Sequence, residues 1–248
     1  MNPSPLTLPA RLLLIRHGES EWNHAQRFTG WADVGLTAAG EAQMRELGRK
    51  LTTDRIEIDQ VFVSRLRRCT AAAAALLQAM ETPCVPQTAD WRLNERHYGA
   101  LTGRSKASAV VEFGADAVLA WRRSYRAVPP PLSRTELGRI APLSQDPESE
   151  ALPEAESLAQ TARRVADFWR QCLRPATERH RTVAVVGHGN SLRALAMLLE
   201  DLSESEVMTL EIANGELRAY SRAENGGNGR FERSEIWRPS KHSVSQIL

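Results

Sequence analysis

The chain carries 248 residues, 42% of them hydrophobic and 25% charged, with 32 Lys and Arg against 30 Asp and Glu for a formal net charge of +2. That balance suits a soluble globular protein of one α/β domain and excludes a polyelectrolyte surface for nucleic acid or membrane, so any anion specificity must come from local clusters of Arg and Lys. Three cysteines at wide spacing, Cys69, Cys84 and Cys172, form no CxxC pair; they argue against a disulfide framework or a zinc site and fit a reducing cytoplasm.

The first eleven residues, MNPSPLTLPAR, lack the basic start and apolar core of a signal peptide, and no apolar run is long enough to span a bilayer. The expectation is a soluble cytoplasmic protein. Residues 11–15, RLLLI, read as a buried parallel strand that stops abruptly at Arg16-His17-Gly18-Glu19. Thr37 caps a predicted helix running to about Leu51. Val61-Phe62-Val63 is a second strand, followed by a basic cluster of Arg65, Arg67 and Arg68 and an alanine-rich helix that Pro83 stops. Cys84-Val85-Pro86 is at best a weak strand. Residues 104–126 read as an interrupted helix with an aromatic and basic end.

Residues 127–153 hold Pro129, Pro130, Pro131, Pro142, Pro147 and Pro153 with few large apolar residues, which predicts a long lid insertion over about 125–153. An amphipathic helix is predicted over 157–174, and a third strong strand, TVAVV at 182–186, ends in Gly187-His188-Gly189-Asn190-Ser191. An apolar helix follows it. Residues 216–221 and 231–237 read as strands about a glycine-rich turn, and 238–248 as a mobile polar tail. Strands alternating with helices predict a three-layer αβα fold with a mostly parallel central sheet covered on both faces.

Two strand ends thus deliver a histidine flanked by glycine, and ligands in open α/β sheets bind at the carboxyl ends of strands. Either histidine alone could simply satisfy a hydrogen bond beside a turn. Together with Arg16 and Arg68, they would form a small cationic pocket with two imidazoles. A phosphoryl group fits it: arginines grip the oxygens, and a neutral imidazole, kept neutral by those cations, can attack phosphorus.

The segments LLLIRHGESEWN, RFTGW, RLNERHYGALTG, WRRSY and GHGNSLRAL run in order over residues 11–202 and resemble the 2,3-bisphosphoglycerate-dependent phosphoglycerate mutases of the histidine phosphatase superfamily. The resemblance implies that His17 is the phosphorylated nucleophile, that Arg16, Arg68 and His188 clamp the phosphoryl group, and that Glu95 is the general acid and base. It implies that Asn23, Thr29, Gly30, Gly189 and Asn190 line the phosphate pocket. Arg96, Tyr98, Lys106, Arg122 and Arg123 would bind the carboxylate and second phosphate of a small phosphorylated carboxylic acid. It further implies 2,3-bisphosphoglycerate as phosphoryl primer, no metal, and a homodimer or homotetramer. His97 is expected only to pack or hydrogen-bond, Trp22 and Trp31 to pack their loop on the core.

Three stretches depart from the family pattern: the lid, the sequence Ile212-Ala213-Asn214-Gly215, and everything after Tyr220. A leakier site would let water attack phosphohistidine. Two alternatives therefore stand beside the mutase: a phosphatase or mutase acting on a related phosphorylated acid, and a non-catalytic module that binds a phosphometabolite.

Overall fold

The computed structural model describes residues 11–133, 135–136, 153–223 and 231–240. Most of the predicted lid and all of the tail beyond residue 240 therefore lie outside the described residues.

Short apolar runs, LLLI at 12–15, VFV at 61–63 and VAVV at 183–186, build the centre of the sheet. Strands β1 (Arg11–Arg16), β2 (Gln60–Val63), β3 (Gln87–Ala89) and β4 (Thr182–Gly187) are mutually parallel, while β5 (Leu217–Arg222) and β6 (Phe231–Trp237) form an antiparallel edge. The order is β3-β2-β4-β1-β5-β6, so β1 lies between a parallel and an antiparallel neighbour. The weak strand expected at 84–86 falls instead at Gln87–Ala89, an exposed three-residue edge, which explains why no apolar signal announces it.

Alternation along β1 splits the core in two. Leu12 and Leu14 pack with Val183, Val185, Phe168 and Leu195 on one face; Leu13 and Ile15 pack with Val61, Val63, Met44 and Leu76 on the other. Each fully buried Leu or Ile contributes about 1.5–3 kcal/mol relative to exposure. The second face is covered by α2 (Ala38–Thr53) and α3 (Arg67–Ala79), after a short α1 (Glu21–His24). The first face is covered by a helical stretch from Leu158 and by a helix after β4. In that stretch α6 (Leu158–Phe168) passes through a π-helical turn (Trp169–Leu173) into α7 (Arg174–Arg179). The helix after β4 is α8 (Gly189–Glu200), with α9 (Glu204–Thr209) next in the chain. These layers give the expected αβα sandwich.

The interrupted helix at 104–126 resolves into α4 (Lys106–Phe113) and α5 (Ala115–Arg123), separated by Gly114. Phe28, Leu101, Ala109 and Val118 form a small separate core beneath them. Two described residues toward either side of the expected insertion meet: the Leu132 amide donates to the Glu154 carbonyl at 3.1 Å, and Leu132 packs on Trp31 and Trp91.

One contact brings α2 against the end of β1. A Cβ on Gly18 would lie 2.1 Å from the Gly40 carbonyl oxygen, and one on Gly40 would lie 2.0 Å from that of Glu19. Only glycine at both positions permits this approach.

Candidate active site

All four parallel strands end on one side of the sheet, and the chain after each leads into a residue of the site. β1 ends in Arg16 and His17; β2 in Ser64, with Arg68 one turn on; β3 leads through Asp90 to Glu95; β4 ends at His188. Backbone bonds hold these ends in register. The His17 amide donates to the Gly187 carbonyl at 3.1 Å, the Ser64 amide to Val186 at 3.1 Å, and the Arg16 amide to Glu216 at 3.0 Å.

His17 and His188 face each other edge to face with ring centroids 5.0 Å apart. His17 Nδ1 lies 2.6 Å from the Gly18 carbonyl oxygen. A carbonyl only accepts, so Nδ1 carries the proton and Nε2 keeps a lone pair. Burial, then the charges of Arg68 and Arg16, push the His17 pKa well below its ordinary value. His188 is pushed the same way by burial, Arg68 and His17. Both imidazoles are therefore neutral at neutral pH, the state a nucleophile needs.

The two arginines are held by backbone carbonyls rather than by carboxylates. Arg68 donates from Nη1 to Ala32 and from Nη2 to Gly30, each at 2.8 Å; Gly30 sits at φ +51°, a conformation that favours glycine. Arg16 Nη1 donates to Ile212 at 2.6 Å, and its buried Nε has no partner among the described residues. A guanidinium tied to carbonyls keeps its full charge for an incoming anion.

Glu95 is buried. Its Oε1 accepts the backbone N–H of Arg96 at 2.8 Å and of Asn190 at 3.1 Å. No hydrogen bond engages Oε2 among the described residues, which leaves that oxygen open to a ligand in the cavity. The segment is braced from behind by Arg164 of α6, whose guanidinium donates to the carbonyls of Arg92, Asn94 and Glu95 and pairs with Glu156 at 2.7 Å. Burial alone would raise the Glu156 carboxyl, but Arg164 and the His97 amide hold it below its usual range. Trp31 Nε1 also donates to the Glu95 carbonyl.

The cavity has a volume of about 490 Å³. Its lining holds the cations Arg16, Arg27, Arg68, Lys106, Arg122, Arg123, Arg193 and Arg238 against the carboxylates Glu95, Glu211 and Glu216. Of these carboxylates, Glu211 is paired with Arg123 and Glu216 with Arg218 and Arg238. Burial, followed by the charges of Arg122 and Arg16, lowers the Lys106 pKa, the signature of cations crowded around a space. The orphaned Arg16 Nε and the excess of cations both fit a multiply charged anion.

Among the residues singled out from sequence, Arg16, His17, Asn23, Thr29, Gly30, Arg68, Glu95, Tyr98, Lys106, Arg122, Arg123, Gly189 and Asn190 line this cavity. His188 and Arg96 stand just behind it, fully buried. Arg96 lies 4.7 Å over the Tyr98 ring, its Nε and Nη1 without a partner among the described residues, and Tyr98 Oη accepts from Asn190 Nδ2 at 3.0 Å. His97 has the expected packing role: it is buried, accepts from the Gly99 amide at 3.1 Å and touches Trp31.

Sequence reading missed Arg193, Asn214 and Arg164. Arg193 lines the cavity and donates from Nη1 to Asn190 Oδ1 at 2.9 Å; hidden inside the LRAL helix, it carries no signal of its own. Asn214, part of the divergent Ile212–Gly215 stretch, donates from Nδ2 to the His17 and Gly18 carbonyls, each at 3.2 Å, and to Asn23 Oδ1 at 3.1 Å. The departure thus stitches the nucleophile's loop to the Asn23 helix.

The family model for the histidine phosphatase superfamily (branch 1) matches residues 12–231. The chain is 40% identical over 220 residues to 2,3-bisphosphoglycerate-dependent phosphoglycerate mutase 2 of Latilactobacillus sakei subsp. sakei (strain 23K), covering 87% of this chain and 95% of that protein. It is 42% identical to the 2,3-bisphosphoglycerate-dependent phosphoglycerate mutase of Mannheimia succiniciproducens, over 86% and 95% of the two chains. A solved mycobacterial glucosyl-3-phosphoglycerate phosphatase in complex with VO3 superposes with a TM-score of 0.67 at 25% identity, over 93% of this chain and all of that one. A buried neutral histidine beside two arginines that no carboxylate neutralises, on a fold shared with these proteins and within a match of 220 residues, leaves one assignment: the chain belongs to the histidine phosphatase superfamily, branch 1.

Proposed function

We propose that this protein is a phosphoglycerate mutase that interconverts 3-phosphoglycerate and 2-phosphoglycerate through a phosphoryl group carried on His17 Nε2. The observation that carries the reading is the meeting, in one cation-lined cavity, of a neutral histidine and a carboxylate with a free oxygen. The roughly 40% identity to named mutases over most of the chain supports the same reaction.

His17 Nε2 forms a bond to phosphorus as a P–O bond breaks, the leaving oxygen takes a proton from Glu95 Oε2, and Gly18 holds the ring so that the developing positive charge rests on the Nδ1–H. Arg16 and Arg68 bind the phosphoryl oxygens and stabilise charge that spreads over them in a loose transition state. In the return transfer the substrate hydroxyl attacks that phosphorus, its proton passes to Glu95 Oε2, and the N–P electron pair returns to Nε2. 2,3-Bisphosphoglycerate would supply the phosphoryl group that primes His17. Arg122, Arg123 and Lys106, on α4 and α5, hold the carboxylate and second phosphoryl group, so that either end of the molecule can face the nucleophile. Metal is not needed for any of these steps. A cytoplasmic location suits a substrate of this kind, and no described helix is long and apolar enough to cross a membrane.

A coupled assay on 3-phosphoglycerate, with and without catalytic 2,3-bisphosphoglycerate and with free phosphate followed in parallel, tests the reading. Cofactor-dependent 2-phosphoglycerate with little phosphate release is expected, and its loss in His17→Ala. Phosphate release without isomer would instead make the protein a phosphatase.

A further inference from the structure

His188 is held from behind by a chain of hydrogen bonds whose donors and acceptors leave no choice of direction. Its Nε2 lies 2.8 Å from Ser64 Oγ. Ser64 Oγ in turn lies 2.8 Å from Asn94 Oδ1. The Arg65 backbone N–H, at 3.1 Å, points at the same Asn94 atom, so that atom is the carbonyl oxygen and not the amide nitrogen. Asn94 Oδ1 accepts both bonds, which makes the Ser64 hydroxyl a donor toward Asn94. The Leu66 amide donates to Ser64 Oγ at 3.2 Å. With its one proton directed to Asn94, Oγ can meet His188 only as an acceptor, and Nε2 must carry a hydrogen. A bare Nε2 would set two lone pairs against each other in a fully buried place.

We propose that Ser64 and Asn94 are positioning residues that lock His188 in its Nε2–H form, so that a phosphoryl group enters the site only together with one proton taken up at His188 Nδ1. The proposal rests on the mutase reading above and on the resemblance, which implies that His188 clamps the phosphoryl group; its ring stands 5.0 Å from that of His17. With Nε2 engaged by Ser64, Nδ1 is the ring nitrogen left to meet a phosphoryl group on the neighbouring His17, with Cys69 Sγ 3.8 Å away; in this tautomer it carries a lone pair, which would repel a phosphoryl oxygen. Protonation there turns the same atom into a donor. In the balanced step the protein and a phosphate dianion combine with one proton from solvent, which ends on Nδ1; no covalent bond changes.

The groups facing His188 agree. Arg16 and His17 from β1, Arg68 from α3 and Arg164 from α6 all disfavour the imidazolium while the pocket holds no anion, and Cys69 of α3 lies 3.3 Å from Nε2 with its thiol pushed up to about 12, hence uncharged. Glu95 is the carboxylate across the cavity. An entering dianion offsets the arginine charges and makes the proton affordable, which links phosphate affinity to pH.

Calorimetric titration of the full chain with inorganic phosphate, at about pH 8 where phosphate is a dianion and in buffers of different ionisation enthalpy, counts the protons. About one proton per phosphate is expected for the native protein. In Ser64→Ala the freed imidazole can take the Nδ1–H form, with the Cys69 thiol donating to Nε2, and the count should fall clearly. Histidine 15N spectra of the native protein should show Nε2–H with bare Nδ1 at His188, and Nδ1 protonated once phosphate is added. These spectra decide the matter even if Ser64→Ala does not fold. Phosphate binding without proton uptake, equal uptake in both proteins, or a free-state Nδ1–H would overturn the tautomer lock and leave the site reading standing. Failure of phosphate to bind at all would overturn the site reading, and the lock with it.

Discussion

The Asn190 backbone amide donates to Glu95 Oε1 across 3.1 Å, so the first turn of α8 fixes a carboxylate that arrives from a different strand end. In the proposed mechanism the unengaged Oε2 is the atom that exchanges a proton. Glu95→Gln preserves the shape but not that capacity. Isomerisation should fall by about 10²–10⁴-fold in kcat, the range for loss of a general acid–base group, with KM changed far less. Steady-state kinetics on 3-phosphoglycerate check this; a variant with native kcat would remove Glu95 from the mechanism.

Arg164 and Glu156 form a buried pair behind the same segment. Arg164→Met leaves Glu156 without its partner and takes a donor from three carbonyls, of which that of Glu95 keeps Trp31. Loss of about 3–5 kcal/mol is expected, as for breaking a buried pair by removing one partner. Denaturant unfolding measures it. The double variant Glu156→Leu with Arg164→Met should recover part of that loss, because it removes the stranded charge as well.

Acid should weaken the fold over a defined window. Burial lowers the His97 pKa to about 4 from 6.5, and His17 and His188 are lowered too. Below pH 6.5 the unfolded chain binds protons that the native protein refuses, so stability is complete above that pH and declines as pH falls toward 4. Unfolding free energy measured at successive pH values should follow this slope. His97→Asn, if it folds, should make the slope shallower.

Gly40→Ala tests the close approach of α2 to the nucleophile's loop. The added methyl would fall 2.0 Å from the Glu19 carbonyl oxygen, which requires backbone movement and should cost about 1–3 kcal/mol, as for other overpacked sites. Because the shifted loop also carries His17, activity should fall along with thermal stability. An unaltered melting temperature would show that the two segments separate freely.

The strands carrying the chemistry were legible because each is a short apolar run ending abruptly in His, Ser or Arg, and the parallel sheet follows from the helices between them. The edge strand Gln87–Ala89 was not, since three exposed polar residues give no period. Helix α9 went unread although Ser203 and Glu206 make a capping box; six residues with one buried side chain are too few to show a helical stripe. Arg164 looks in sequence like half of an exposed Arg163-Arg164 pair. Nothing local distinguishes the buried one, because its partners come from residues 92–95 and 156. Directly read residues are those whose role is set by the element that carries them; the others take theirs from elements distant in the chain.

The position of β1 between β4 and β5 also governs how the protein can be made. Both neighbours of β1 come from beyond residue 181, so β1 leaves the ribosome long before either strand that pairs with it. Its Leu-Leu-Leu-Ile run, with open hydrogen-bonding edges, must wait through most of synthesis as a surface inviting aggregation. Nascent chains halted before residue 182 should therefore engage chaperones strongly, and those extended past residue 222 should release them.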